Sequence, residues 1–175
     1  MSDLNLGVIG NCVYSALIDQ RASVVWCCMP RFDGDPVFCG LLNNGNGDTA
    51  RGVFDVDMEG FAQSEQHYIE NTAVLVTRLE DSQGRALEVV DFAPRFNQFG
   101  RRYRPTALVR IIRPVEGTPR IRVRLHPAFD YGATPAGITH GSNHIRFVGP
   151  QFAMRLTTSA PINYLLEDTA FYLEE

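Results

Sequence analysis

The sequence predicts an all-β protein, an antiparallel β-sandwich. Three observations lead there. Apolar and polar residues alternate with period two in segment after segment. Turn-forming clusters rich in Gly, Pro, Asn and Asp separate these short runs. No helical pattern of about ten residues lies between them, as a parallel α/β sheet would need. With 175 residues, of which 45% are hydrophobic and 21% charged, the chain suffices for one domain, residues 1–175, with a core of its own.

Taken in order, strands are predicted over residues 6–9, 15–18, 24–28, 53–59, 73–79, 87–92, 108–112, 120–125, 145–148, 152–157, 162–166 and 170–173. Two are the clearest. In residues 53–59, Phe54, Val56 and Met58 share one face while Asp55, Asp57 and Glu59 share the other. In residues 120–125, Arg120, Arg122 and Arg124 line one face and Ile121, Val123 and Leu125 the opposite one. Turns fall at Asp19-Gln20-Arg21, at residues 43–48, at Asp81-Ser82-Gln83-Gly84, at Glu116-Gly117-Thr118-Pro119 and at Gly149-Pro150. Residues 38–42 suit about a turn of helix, and residues 62–68 read equally as strand or helix.

Charge excludes some partners. A net charge of -4 and an isoelectric point near 5.6 give no general attraction to nucleic acid or to an anionic membrane. No apolar run reaches the roughly 20 residues of a membrane span, and the N-terminus has neither the basic region nor the apolar core of a secretory signal. Cys12, Cys27, Cys28 and Cys39 read as reduced and mostly buried, because Cys27 and Cys28, adjacent on a strand, point to opposite faces. The expected location is the cytoplasm.

Chemistry-bearing motifs are sparse. Gly45-Asn46-Gly47 lacks the Lys and hydroxyl of a phosphate-cradling loop and reads as a surface turn. His140 and His144 have a ligand-like spacing, but they flank the turn sequence Gly141-Ser142-Asn143, so no metal or cofactor is expected. The arginine face of residues 120–124 suggests a polyanion site; the acidic face of residues 55–59 offers it a partner across a sheet instead. Hydrolysis of a glycosidic bond commonly uses two carboxyl groups. Asp33, Asp35, Asp91 and Asp130 each follow an apolar or aromatic run, as a residue at the mouth of a sandwich would, yet each is also an ordinary turn former.

A series of ordered motifs is more specific. Leu6-Gly7-Val8-Ile9-Gly10-Asn11-Cys12, Ser15-Ala16-Leu17-Ile18, Val25-Trp26, Pro30-Arg31-Phe32-Asp33 and Pro36-Val37-Phe38 open the chain. Residues 68–78, Val90-Asp91-Phe92-Ala93-Pro94-Arg95, Val109-Arg110-Ile111-Ile112 and Pro127-Ala128-Phe129-Asp130-Tyr131-Gly132 follow. Over about the first 150 residues this series resembles the opening of bacterial glycoside hydrolase family 15 proteins, the glucoamylase and trehalase-like enzymes. The resemblance implies an N-terminal β-supersandwich followed by an (α/α)6 barrel, on whose loops two glutamates perform an inverting hydrolysis of α-glucosidic bonds. No barrel follows in these 175 residues, so no catalytic residue is expected here, and the sandwich is expected to end before its last strands. The chain departs from the family pattern at Asn11, Val13 and Val25, where many members carry Asp, Arg and Asp.

The expected function is therefore that of a non-catalytic domain supporting its own catalytic barrel in an enzyme acting on an α-glucoside. Self-association through an exposed face or an unpaired edge strand is a further expectation. The candidate site is the turn carrying Arg31, Phe32 and Asp33, with Trp26 close by in sequence. It reads as an interdomain docking turn in which Arg31 pairs with a carboxylate, as a sugar contact with Trp26 or Phe32 as apolar platform, or as a plain local turn. The alternatives for the whole chain are a freestanding carbohydrate-binding module, with Tyr103, Phe129 and Tyr131 as candidate exposed aromatics, or a protein-interaction sandwich.

Overall fold

A computed structural model describes residues 4–42 and 51–174. The strands run in chain order as β1 (Gly7–Gly10), β2 (Ser15–Ile18), β3 (Val24–Cys28), β4 (Pro36–Phe38), β5 (Val53–Met58) and β6 (Phe61–Tyr68). Next come β7 (Leu75–Asp81), β8 (Ala86–Phe92), β9 (Phe96–Gln98), β10 (Arg101–Tyr103), β11 (Val109–Glu116) and β12 (Arg120–His126). The last are β13 (Ala128–Phe129), β14 (Thr134–Pro135), β15 (Gly137–His140), β16 (His144–Val148), β17 (Ala153–Thr157) and β18 (Phe171–Tyr172). The predicted all-β class holds. Gly40–Leu42 forms a single 3-10 turn, as the pattern of residues 38–42 suggested, and the ambiguous segment 62–68 is strand. The turn at residues 43–48 and the Gly45-Asn46-Gly47 motif lie outside the described residues.

The largest sheet has the order β1-β2-β3-β5-β12-β18, with β4 also paired to β3. A four-stranded sheet, β11-β8-β7-β6, packs onto it, and a three-stranded sheet, β15-β16-β17, contributes Ile145 and Phe147 to the same core. Every pairing among the described residues is antiparallel. Opposite alternation sets the register of β5 against β12: Asp57 faces Arg122 and Asp55 faces Arg124. Arg120 meets Glu59 at 2.8 Å, Arg122 meets Asp57 at 2.9 Å, and Arg124 grips both oxygens of Asp55 at 3.0 and 2.7 Å. The arginine face is thus neutralised within its own sheet, and the apolar faces of both strands turn inward as Val56, Met58, Ile121, Val123 and Leu125.

Two expectations need correction. Residues 162–166 form a short helix, α1 (Ile162–Leu166), rather than a strand. Ile162 and Leu165, three apart, are its buried pair, which is helical spacing; Pro161 precedes it, and Asp168 at φ 50 turns the chain away after it. Asp91 is no loop carboxylate. It lies within β8, fully buried, and receives two hydrogen bonds from the Arg110 guanidinium at 2.8 and 3.0 Å. Arg110 stands opposite it on β11, donates to the Phe54 carbonyl at 3.2 Å and stacks 4.4 Å over the Phe54 ring. This pair ties the four-stranded sheet to the large one through the core.

Candidate docking surface

The turn between β3 and β4 is closed by a hydrogen bond from Gly34 N to Arg31 O at 3.1 Å. Arg31 and Asp33 come together there: Arg31 Nη2 donates to Asp33 Oδ2 at 2.9 Å, with both side chains about seven-tenths exposed. An exposed pair of this kind adds at most about 1 kcal/mol. Phe32 beside them is 55% exposed. Trp26 lies further back, half-buried in β3, across from Leu17 of β2, and makes no ring contact with Phe32. Asp35 and Asp130 are exposed, the latter in a turn at φ 53. His140 and His144 end the two strands of a hairpin, and among the described residues no three His, Cys, Asp or Glu gather as a metal site would require.

The candidate aromatics do not form one row. Phe129 is buried edge-on against Phe152, at 5.4 Å between ring centroids, whereas Tyr131 and Tyr103 are exposed. Tyr103 belongs to a feature the sequence did not announce. The hairpin β9–β10 pairs Phe96 with Tyr103 in a stacked contact at 5.6 Å, and Phe99, 87% exposed, sits at its tip. Between Ala93 and Thr106 the chain has Arg95, Arg101, Arg102 and Arg104 and no acidic residue.

The base of this arm is fixed from the N-terminus. Buried Asn11 donates from Nδ2 to the carbonyls of Pro94 at 3.0 Å and Pro105 at 2.8 Å, while its Oδ1 accepts from Val13 N at 3.1 Å. The buried Tyr14 hydroxyl donates to the Ala107 carbonyl. Burial, and secondarily the nearby Cys27, push the Tyr14 phenol well above its ordinary range, so it stays a neutral donor. Asn11 thus has a polar role at a position where the family pattern varies, and it is a role that a carboxylate could not fill.

Arm and turn flank one apolar cleft of about 440 Å³. Met29 and Pro30 lead into the turn on one side, Thr106, Ala107 and Leu108 follow the arm on another, and Ala153, Met154, Arg155 and Leu156 form the opposite wall over a floor that includes Phe54 and Leu125. The charge around it is unusual for this molecule. All 16 basic residues are arginine. Those of the large and four-stranded sheets at positions 78, 110, 113, 120, 122 and 124, and Arg85 in the turn before β8, are bonded to carboxylates. Among the described residues none of Arg95, Arg101, Arg102 and Arg104 has an acidic partner, nor do Arg146 and Arg155, which oppose each other across β16 and β17. Of the arginines without acidic partners, Arg155 lines the cleft itself, while the arm precedes its wall at residues 106–108.

Residues 5–171 match the family model described as trehalase-like, N-terminal. The chain is 28% identical over 148 residues to Trehalase 2 of Sulfolobus acidocaldarius, covering 85% of this chain and 22% of that protein. It is 34% identical over 146 residues to Trehalase 1 of the same organism, covering 83% and 23%, and 27% identical over 137 residues to a trehalase of Mycolicibacterium smegmatis, covering 71% and 20%. The chain therefore spans less than a quarter of the length of these relatives. No solved structure matches it. The chain belongs to the trehalase-like N-terminal family.

Proposed function

We propose that this sandwich is the non-catalytic N-terminal domain of a trehalase-like α-glucoside hydrolase of glycoside hydrolase family 15, and that it supports and docks the enzyme's catalytic barrel. The observation that carries the docking role is the arm: four arginines without carboxylate partners among the described residues, beside three exposed aromatics, in a molecule whose two larger sheets pair their arginines. The names of its relatives favour trehalose as the substrate of the whole enzyme. Hydrolysis would be inverting, with a general acid and a general base both supplied by the barrel, so that this domain contributes position and stability rather than proton transfer. The turn of Arg31, Phe32 and Asp33 at the other side of the cleft belongs to the same docking face, with Trp26 behind it. Its four free thiols favour a reducing compartment, the cytoplasm.

The test is glucose release from trehalose and maltose by a longer polypeptide carrying residues 1–175 at its N-terminus, beside residues 1–175 alone. The longer form is expected to hydrolyse trehalose and the short form neither sugar. Charge reversal in the arm, Arg101→Glu with Arg102→Glu, is expected to lower the melting temperature or activity of the longer form while leaving the short form's stability unchanged. Hydrolysis by residues 1–175 alone, a longer form inactive on both sugars, or charge reversal without effect on the longer form would overturn it.

A further inference from the structure

Two strands of this domain present an unpaired side to the same space. β11 is the end strand of the four-stranded sheet and β17 the end strand of the three-stranded one. The cleft of about 440 Å³ lies between residues 106–108 and residues 153–156. A second cleft, of about 350 Å³, continues between residues 108–112 and residues 156–160. Phe54, Leu108 and Leu156 line both, so the two are one trough. Residue numbers rise together along the two walls, and β11 and β17 therefore run in the same direction. A strand laid between them in the opposite direction would be antiparallel to both. Its floor is apolar: Phe54, Ile121, Val123 and Leu125 of the large sheet.

The chain itself leads to one end of the trough. After β18, Leu173 lines the second cleft, its N–H donates to the Pro119 carbonyl at 2.9 Å, and Leu173 and Glu174 line a third cleft with Pro114 and Val115 at the far end of β11. A polypeptide continuing from there enters at that end of β11 and runs back along it, which is the antiparallel direction. Pro114 and the bulge between Pro114 and Glu116 interrupt pairing at the entrance, leaving Leu108 to Arg113 as the wall available for pairing.

We propose that this trough is an open strand site, filled by the polypeptide that follows residue 174 in the longer protein; this rests on the proposed function, which places this domain at the N-terminus of such a protein. The inserted strand is about six residues long, roughly 20 Å, and alternates apolar and polar side chains, the apolar ones facing Phe54, Leu108 and Leu156. It joins the four-stranded and three-stranded sheets into one eight-stranded antiparallel sheet over the large sheet, the supersandwich that the sequence foreshadowed.

Hydrogen–deuterium exchange tests this. In residues 1–175 alone, about half the amides of β11 and β17 point into the trough and exchange within seconds to minutes. In the longer polypeptide these amides are expected to slow by about 100-fold or more, together with a segment of about six residues soon after residue 175. Unprotected trough amides in the longer polypeptide would overturn the proposal, whatever residues 1–175 do alone. So would a dimer of residues 1–175 protected at β11 and β17, which would assign the trough to a second copy, or protected trough amides beside a freely exchanging segment after residue 175. Glucose release separates the two proposals: an active longer form with open trough amides refutes only the strand, and an inactive one with protected amides refutes only the enzyme.

Discussion

The ion pair of Arg110 and Asp91 is the most consequential polar contact in the core. Both side chains are almost completely buried, at 3% and 0% exposure, and the pair is bidentate, so each charge depends on the other. Arg110→Met leaves the Asp91 carboxylate in the core without its partner and frees the Phe54 carbonyl; removing one member of such a pair costs about 3–5 kcal/mol. Replacing both, Asp91→Leu with Arg110→Met, removes the stranded charge, and the double variant is expected to recover most of that loss or exceed wild type. Urea unfolding followed by circular dichroism reads the difference. With a slope of roughly 2 kcal/mol per molar urea, the single variant's midpoint should fall by roughly 1.5–2.5 M while the double variant's stays within roughly 0.5 M of wild type or above. A single variant losing less than about 1 kcal/mol, or a double variant as unstable as the single, would refute the claim that stranded charge rather than lost packing dominates here.

Two further outcomes follow from buried groups. Asn11→Asp sets a carboxylate against the Pro94 and Pro105 carbonyls, which now accept its amide hydrogens at 3.0 and 2.8 Å; a loss of at least about 2 kcal/mol is expected, larger than for Asn11→Ala, with faster trypsin cleavage at Arg95 and Arg102, and unchanged cleavage would count against the clamp. Burial, with a smaller contribution from neighbouring Cys28, pushes the Cys27 thiol from 9.0 up to about 12, so the folded state favours the neutral thiol. Its contribution is complete below pH 9 and is lost at about 1.4 kcal/mol per pH unit as pH rises toward 12; urea midpoints at pH 8 and pH 10.5 should therefore fall less for Cys27→Ala than for wild type, and equal falls would exclude the thiol as the cause.

What the sequence made legible was set by how local the deciding contact is. Strict alternation in β5 and β12, with opposite charges on their outer faces, revealed both strands and the partnership between them. Residues 162–166 misled because a run of Ile, Tyr and two Leu suits either period, and only burial of Ile162 and Leu165 against the core selects the helix. Asp91 and Arg110 each interrupt an apolar strand, and nothing within either strand shows that β8 and β11 bring them face to face. The arm was invisible for the same reason: residues 96–103 lack alternation, and their position is fixed by Asn11 and Tyr14 from more than 80 residues away. Within the motif Gly10-Asn11-Cys12, it is Asn11 that holds the Pro94 and Pro105 carbonyls together.

That purpose bears on whether the arm is incidental. An exposed hairpin of two three-residue strands is marginal by itself, and a solvated loop needs no anchor. Here the anchor is a fully buried asparagine with both amide hydrogens committed, backed by a buried tyrosine hydroxyl on Ala107. Burying such groups is costly unless the geometry they impose is retained, so the direction of the arm is specified and not merely tolerated. In the two larger sheets Arg124 and Arg110 make two-pronged contacts to Asp55 and Asp91, a geometry that lysine could not reproduce. Among the described residues, the same forked chemistry is left without carboxylates on the fixed, exposed arm, and the proposed docking role assigns those arginines the carboxylates of another surface.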